Sequence, residues 1–422
     1  MFLYRKGSLT WDGIDLLDAA KEWGTPAYLY NRKALENDFT RLQQAFEPYT
    51  HSINFALKAN SNPELVKLIS KLGCGADIVS MGELFIALKA GISHEKMVFA
   101  GVGKTDEEIN IAIKSRLLAI SAESEEEVHV IDEHAGHMLQ KQPVLLRINP
   151  DIDAESHPYI STGRSIHKFG IDARSAEELA GYCFRSNNLH FSGLHIHIGS
   201  QVEKLEPVAK SFERTAQFIE RFENKGIPVE IINLGGGMPV GYRFEFDAVT
   251  HENKLSTDRN NENIISGWAS LIPEYFDVKE KRIIIEPGRS VIARCGILLT
   301  KVLYTKTQSG RRFIVVDAGM NDFIRPALYG AFHGIVPLTY RGPAKITADV
   351  VGPICETGDF FAHDIEISEC VRGDYLAVLT TGAYGFVSAS NYNMRLRPPE
   401  LLLENGDIRC IRPREQYSDI TS

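Results

Sequence analysis

The sequence predicts an α/β fold: a (β/α)8 TIM-type barrel over residues 25–290 and a C-terminal, mainly antiparallel β domain over 291–422, with residues 1–24 packing on that domain. Three observations lead there. Short apolar runs alternate with longer amphipathic stretches from about residue 50 to 290. Those stretches open on helix-capping signals. After about residue 290 the helical period fades, and apolar runs are separated by Gly, Pro and polar turns.

The short runs are INFAL (53–57), ADIV (76–79), MVFA (97–100), LLAIS (117–121), VLLRIN (144–149), FSGLHIHI (191–198), EIINL (230–234) and RIIIE (282–286). Near-continuous Val, Ile and Leu character of this length suits strands buried on both faces of a parallel sheet. Between them, Asn62-Pro63 places a capping side chain before a proline at the first helical position. Thr105 to Glu108 and Ser124 to Glu127 have capping-box spacing. A doubly wound sheet could use the same alternation, but it seldom needs eight strands in series. Beyond 290, GILLTKVLYT, RRFIVVDAG, KITADVVGP and DYLAVLTTGAYG read as strands of a β domain. The first residues show no helix-strand repeat before LLDAAKEWG.

With 44% hydrophobic and 24% charged residues, the 422-residue chain has material for a large core. A net charge of -9 argues against nucleic acid or an anionic membrane as the main partner. No apolar run approaches the roughly 20 residues of a membrane span, and MFLYRKGSLTWDG is too short in apolar residues for a signal peptide. The six cysteines are scattered without CxxC spacing, which reads as reduced thiols in a cytoplasmic protein and implies no metal site.

Active sites of such barrels lie at the C-terminal ends of the strands. There the chain offers Lys58 after the first run, Asp77 and Ser80 at the second, Arg147 at the fifth, and His195, His197 and Ser200 at the sixth. The seventh ends in Asn233-Leu234-Gly235-Gly236-Gly237 and the eighth in Glu286-Pro287-Gly288-Arg289. The loops after strands seven and eight are a common phosphate site, through backbone N–H groups. A lysine amine can form a Schiff base with an aldehyde. An acid can keep a pyridine nitrogen protonated, and an imidazole can stack on the ring. Any one of these residues alone would be an ordinary solvated charge, core histidine or tight turn. Lys58, Glu286, His197 and the two glycine loops together describe a pyridoxal 5'-phosphate site.

The chain also resembles the diaminopimelate decarboxylase family, among the pyridoxal-phosphate decarboxylases that share the alanine racemase barrel. The likeness covers nearly the whole chain. It rests on FALKAN (55–60), GADIVS (75–80), RINPDIDAESHPYISTG (147–163), KFG (168–170), HIHIGSQ (195–201), NLGGG (233–237) and EPGRS (286–290). More specific are DAGMNDFIRPALYGAFH (317–333), VGPICETGDF (351–360) and GAYG with SNYN (382–393). The resemblance implies that Lys58 anchors the cofactor, His197 stacks on its ring and Glu286 binds its nitrogen, with Asp77 also at the cofactor. Ser200, Gly235 to Gly237, Gly288 and Tyr384 would surround the phosphate. Arg289, Arg325, Tyr329, Glu356 and Tyr384 would contact substrate, Glu356 at its distal ammonium. Arg289 is also counted with the cofactor. Cys355 would protonate the carbon that loses CO2, and Cys355 and Glu356 would serve the partner subunit of a homodimer. Arg325 precedes Pro326, which predicts an extended residue.

The implied reaction converts meso-2,6-diaminopimelate to L-lysine and CO2, the last step of lysine biosynthesis. Decarboxylases of ornithine, arginine or carboxynorspermidine would use nearly the same barrel. The Cys355-Glu356 pair and the Arg325/Tyr329 block favour diaminopimelate. An alanine racemase would carry arginine where Glu286 stands, and a non-catalytic relative would have no need of Lys58, Glu286 and Cys355 together. Met81 stands where glycine is common in the family, Arg164 and His167 occupy variable positions, and Arg395-Leu396-Arg397 replaces a more common Arg-Pro-Arg.

Overall fold

A computed structural model describes residues 2–49, 51–152, 168–243, 245–247, 252–254, 258–342 and 344–421. Arg164, His167 and residues 153–163 of the RINPDIDAESHPYISTG motif lie outside the described residues. The chain divides into two compact units. One holds residues 38–239 and 260–291, the other 1–37, 240–259 and 292–422.

The first unit contains a closed barrel of eight parallel strands. They are β1 (His51–Ala56), β2 (Gly75–Ile78), β3 (Met97–Phe99), β4 (Ala119–Ala122), β5 (Gln142–Arg147), β6 (Leu189–His195), β7 (Ile231–Asn233) and β8 (Arg282–Ile285). Each pairs with the next in sequence, and β8 closes on β1 through Ile283 opposite His51. Both faces are covered, which is why the strands read as continuous apolar runs. Val98, Ala119, Leu145, Ile231 and Ile284, from five strands, form one buried cluster.

Capping signals set the helix starts. Asn62 accepts from the Glu64 N–H, with Pro63 opening helix Pro63–Lys71. Thr105 and Glu108 form a complete capping box. Ser124 makes only half of one: its hydroxyl accepts from the Glu127 N–H, but the Glu127 carboxylate turns to the Glu123 N–H (2.7 Å) and to Lys104 Nζ (2.6 Å). Met81 is the first residue of helix Met81–Lys89, and its N–H donates to Glu108 Oε1 at 3.0 Å, so no glycine is required there.

The second unit has a nine-stranded sheet built on the long strand Gly296–Gln308. Most pairings are antiparallel, but Arg311–Val316 runs parallel to Lys345–Val351, and Ala27–Asn31 parallel to Glu400–Glu404. Ala27–Asn31 pairs with both Gly296–Gln308 and Glu400–Glu404. Residues up to Asn37 therefore go with the β unit, further than the boundary at 25 drawn from sequence. The hairpins Phe2–Arg5, Ser8–Trp11 and Ile14–Asp15 lie in a smaller sheet. Their Phe2, Leu9 and Trp11 are buried with Ile297, Leu299 and Leu401 in one core.

Strand β6 carries an irregularity that the barrel depends on. The register with β5 shifts between Phe191 and Gly193. Gly193 has φ 148°, and a Cβ there would lie 1.9 Å from the Ile231 carbonyl oxygen. We expect Gly193→Ala to force β6 and β7 apart, at a cost of about 1–3 kcal/mol. Thermal melting of the purified variant checks this; an unchanged Tm would refute the close approach.

Candidate active site

Within the barrel unit, the strand ends deliver a connected set of polar groups. Strand β1 stops at Ala56, one residue earlier than the apolar run suggests, and Lys58 sits in the 3-10 turn Leu57–Ala59. The turn lifts the side chain off the strand. Lys58 Nζ donates to Asp77 Oδ2 at 2.9 Å. Asp77 is fully buried near the end of β2, and its Oδ1 has no hydrogen-bond partner among the described residues. Burial and the nearby Glu286 carboxylate push Asp77 above its ordinary value, against the pull of Lys58.

Glu286 follows β8 and is buried. Asn233 Nδ2 donates to its Oε1 at 2.5 Å, and His195 Nε2 lies 3.2 Å from its Oε2. Burial pushes the carboxyl up, but His195, Lys58 and Asn233 together outweigh it and hold Glu286 below its ordinary value. Two buried acids of one barrel are thus driven in opposite directions, the pattern that separates acid and base roles. His195 is fixed on its other side by Ser121 at 2.8 Å. At β5, Arg147 Nη1 donates to Glu123 Oε1 at 2.7 Å, and its guanidinium lies 4.9 Å from the Phe169 ring centre.

The imidazole of His197 is held well below its ordinary value by desolvation and by the nearby Arg147, Lys58 and His195. Its Nδ1 accepts from the Gly236 N–H at 3.2 Å, so the neutral ring carries its proton on Nε2. A neutral imidazole is suited to stacking on another ring.

The glycine loops are built by close approach. Asn233 Oδ1 accepts from the Gly235 N–H at 2.9 Å, and the Gly235 carbonyl accepts from the Glu286 N–H at 2.8 Å. A Cβ at Gly236 would lie 2.3 Å from the Glu286 carbonyl oxygen. At Gly237, with φ 114°, it would lie 2.3 Å from that of Gly199. Glycine alone lets the loops after β6, β7 and β8 nest together. Gly288 lies against the Lys58 turn, where a Cβ would come 3.0 Å from that of Ala59. Arg289 is buried and donates from Nη2 to Ser200 Oγ at 3.0 Å.

The barrel unit therefore brings together Lys58, Asp77, His197, Ser200, Gly235, Gly236, Gly237, Glu286, Gly288 and Arg289. Sequence reasoning did not assign His195, Asn233, Ser121, Glu123 or Glu83 to the site. His195 and His197 stand two residues apart in HIHIGSQ, a signal that was present, although β6 ends at His195. Glu83 shows no such signal, because its carboxylate turns back to accept from the Val79 N–H at 2.8 Å.

The β unit gathers a second set. Arg325 is buried, and it is not extended: it opens the helix Arg325–Tyr329, with Pro326 in the first turn. Proline's fixed φ suits a first helical turn, and that preference overrides the bias on the residue before it. The guanidinium lies 5.6, 5.9 and 6.0 Å from the rings of Tyr242, Tyr329 and Tyr384, a cation–π cage. Its Nε donates to His333 Nε2 at 3.3 Å, while His333 Nδ1 donates to the Leu379 carbonyl at 3.0 Å. Tyr242 and His333 were not predicted.

Cys355 and Glu356 are exposed in the loop between strands Lys345–Val351 and Phe360–Ser368. Asp359, buried, shapes that loop by accepting from the Ile354 and Met320 N–H groups, each at 2.6 Å. The Cys355 N–H donates to Asn393 Oδ1 at 2.8 Å. Tyr392 Oη donates to Glu356 Oε2 at 3.4 Å. All six cysteines are free thiols. Among the described residues no His, Cys, Asp and Glu cluster is arranged for a metal ion, and no helix is long and apolar enough to cross a membrane.

A lysine amine beside a buried acid with an open oxygen, an ionised carboxylate, a neutral imidazole and a glycine-lined loop cluster fit pyridoxal 5'-phosphate. Fold and site thus define the class of pyridoxal-phosphate-dependent decarboxylase barrels. The family model for the pyridoxal-dependent decarboxylase pyridoxal binding domain matches residues 32–293. The diaminopimelate decarboxylase of Aquifex aeolicus is 43% identical over 417 residues, 99% of this chain and 96% of the relative. That of Pseudomonas aeruginosa is 39% identical, over 99% and 97%. The crystal structure of diaminopimelate decarboxylase from M. jannaschii in complex with L-lysine matches with a TM-score of 0.91 at 33% identity, covering 100% of this chain and 96% of that one. The Helicobacter pylori enzyme complexed with L-lysine matches at 0.87 and 39%, covering 96% and 98%. The chain belongs to the diaminopimelate decarboxylase family.

Glu83 has a measurable consequence. Burial, with Asp77 adding, pushes its carboxyl from 4.5 to about 7, against the Val79 N–H and Lys58. Between those values the folded chain binds more protons than the unfolded one, so this group's contribution to stability falls as pH rises from about 4.5 to about 7. Glu83→Gln should flatten that part of the pH–stability curve, measured by urea unfolding across the window. A wild-type slope retained in the variant would assign it elsewhere.

Proposed function

We propose that this chain decarboxylates meso-2,6-diaminopimelate to L-lysine and CO2 with pyridoxal 5'-phosphate as cofactor. The observation that carries the reading is the ionised Glu286, clamped by Asn233 and His195 in the same barrel end as the Lys58–Asp77 pair. When bound, the cofactor supplies an electron sink for the charge left at the substrate α-carbon as CO2 departs.

The chain's own residues do the rest. Lys58 would hold the cofactor's aldehyde carbon, and Asp77 orients the amine. Glu286, kept anionic, would hold a proton on the ring nitrogen. His197, kept neutral, would offer its face to the ring. The N–H groups of Gly235 to Gly237 and Gly288, with Ser200 and Tyr384, would take the phosphate, and Arg289 orients Ser200. Arg325, Tyr329 and Tyr384 would position the substrate, with an arginine fork suited to a carboxylate. Cys355 would return a proton to the α-carbon, and Glu356 would hold the distal ammonium.

In this reading Cys355 and Glu356 act at the partner subunit's site in a homodimer. Their exposure in one chain supports it. So do Tyr392 and Met394, 45% and 58% exposed on either side of Asn393, the residue that binds the Cys355 backbone.

With meso-diaminopimelate, ornithine and arginine offered separately to the holoenzyme, CO2 release is expected from the first. Release from ornithine but not diaminopimelate would overturn the substrate assignment. Glu286→Gln should retain the fold and lower kcat by about 10²- to 10³-fold; near-normal kcat would remove Glu286 from the mechanism. Mixing Lys58→Ala with Cys355→Ala subunits should restore activity. No recovery, with subunit exchange shown by mass spectrometry, would place Cys355 in its own subunit's site.

A further inference from the structure

The opposite end of the barrel strands holds a feature that the decarboxylase reading does not use. The first residues of β1, β2 and β8, with Lys96 just before β3, frame a cavity of about 430 Å3. Arg282, Lys96 and His51 line it, together with Ser52 and uncharged residues, and no lining residue is acidic. In a chain of net charge -9 a cavity of this composition departs from the average surface.

The cations are not neutralised from within. Arg282 donates from Nε and Nη2 to Ser52 Oγ, at 3.2 and 2.6 Å, so a hydroxyl orients the guanidinium where a carboxylate would be usual. Lys96 Nζ donates to the Gly73 carbonyl at 3.3 Å. Among the described residues neither has an ion-pair partner. Burial disfavours the Arg282 charge, and nothing negative offsets it. The planar fork keeps N–H donors beyond those spent on Ser52, which suits an oxyanion. The volume lies within the range of small-molecule sites, roughly 300–1,000 Å3.

We propose that this cavity is a second ligand site, for a small anion whose phosphate or carboxylate oxygens are bound by Arg282 and Lys96. The site faces away from the strand ends that carry Lys58 and Glu286, so its ligand is distinct from cofactor and substrate. A ligand bound only by the folded chain raises Tm in a saturable way.

The test uses full-length holoenzyme, so that the phosphate cradle of the glycine loops is already filled. Inorganic phosphate and glutarate are titrated separately at constant ionic strength, read by calorimetry and by Tm. Saturable binding of at least one is expected, weakened about tenfold or more in Arg282→Gln and in Lys96→Gln. Saturation by phosphate alone would assign a phosphoryl ligand, and by glutarate alone a carboxylate. Saturation by neither overturns the proposal, as does equal affinity in wild type and both variants. Should Arg282→Gln fail to fold, the exposed Lys96 variant decides the matter alone.

Discussion

A carboxylate taken out of water must be compensated where it lies, and Glu286 is the place where this chain meets that demand. An isolated ionised carboxyl in such a site would take up a proton. Asn233 at 2.5 Å and His195 at 3.2 Å, with Lys58, prevent it here. The first two are held in turn. Asn233 is fixed by the Gly235 N–H, and His195 by Ser121. The polar chain from Ser121 to Asn233 therefore crosses strand ends β4, β6, β7 and β8. It exists only because the barrel closes in that order. Lys58 and Asp77 complete the field from β1 and β2.

The glycine loops are the second consequence of the same closure. Asn233 uses its amide nitrogen on Glu286 and its oxygen on Gly235, so one side chain sets both the acid and the start of the GGG loop. The Gly236 N–H then fixes His197. Acid, imidazole and phosphate loop are thus tied into one network, and a displacement of any member is felt by the others. The β unit uses a different device. It buries the Arg325 cation among tyrosine rings with a tautomer-fixed His333. Cys355 and Glu356 are left on an exposed loop whose shape comes from the buried Asp359.

Much of this was legible in the sequence, and the reasons are specific. Parallel strands buried on both faces leave continuous apolar runs, so all eight barrel strands were placed to within a few residues. Lys58, Glu286 and the glycine loops were visible because barrel topology says where to look. Local rules failed where tertiary demands took precedence. Ser124 and Glu127 have capping-box spacing, yet Glu127 is drawn to Lys104 and the Glu123 N–H. Arg325 precedes a proline, yet opens a helix. Asn233 and His195 stood in quoted motifs without a role, because their role is a contact with Glu286 across the barrel. Ser121 and Glu123 carried no mark at all.

The two ends of the barrel also handle negative charge by different physics. At the C-terminal ends, backbone N–H groups in glycine loops can approach a phosphate closely, and the buried Arg289 is turned to Ser200. This leaves the charge of Lys58 available for Asp77 and for the aldehyde. At the N-terminal ends the strands begin with side chains rather than glycine loops. Any anion there must be met by Arg282 and Lys96 directly. A guanidinium oriented by a serine across the β8–β1 seam is not neutralised by a carboxylate. Because that seam is where the first and last strands join, an anion on Arg282 would bear on barrel closure itself, the constraint from which Glu286 and its partners follow.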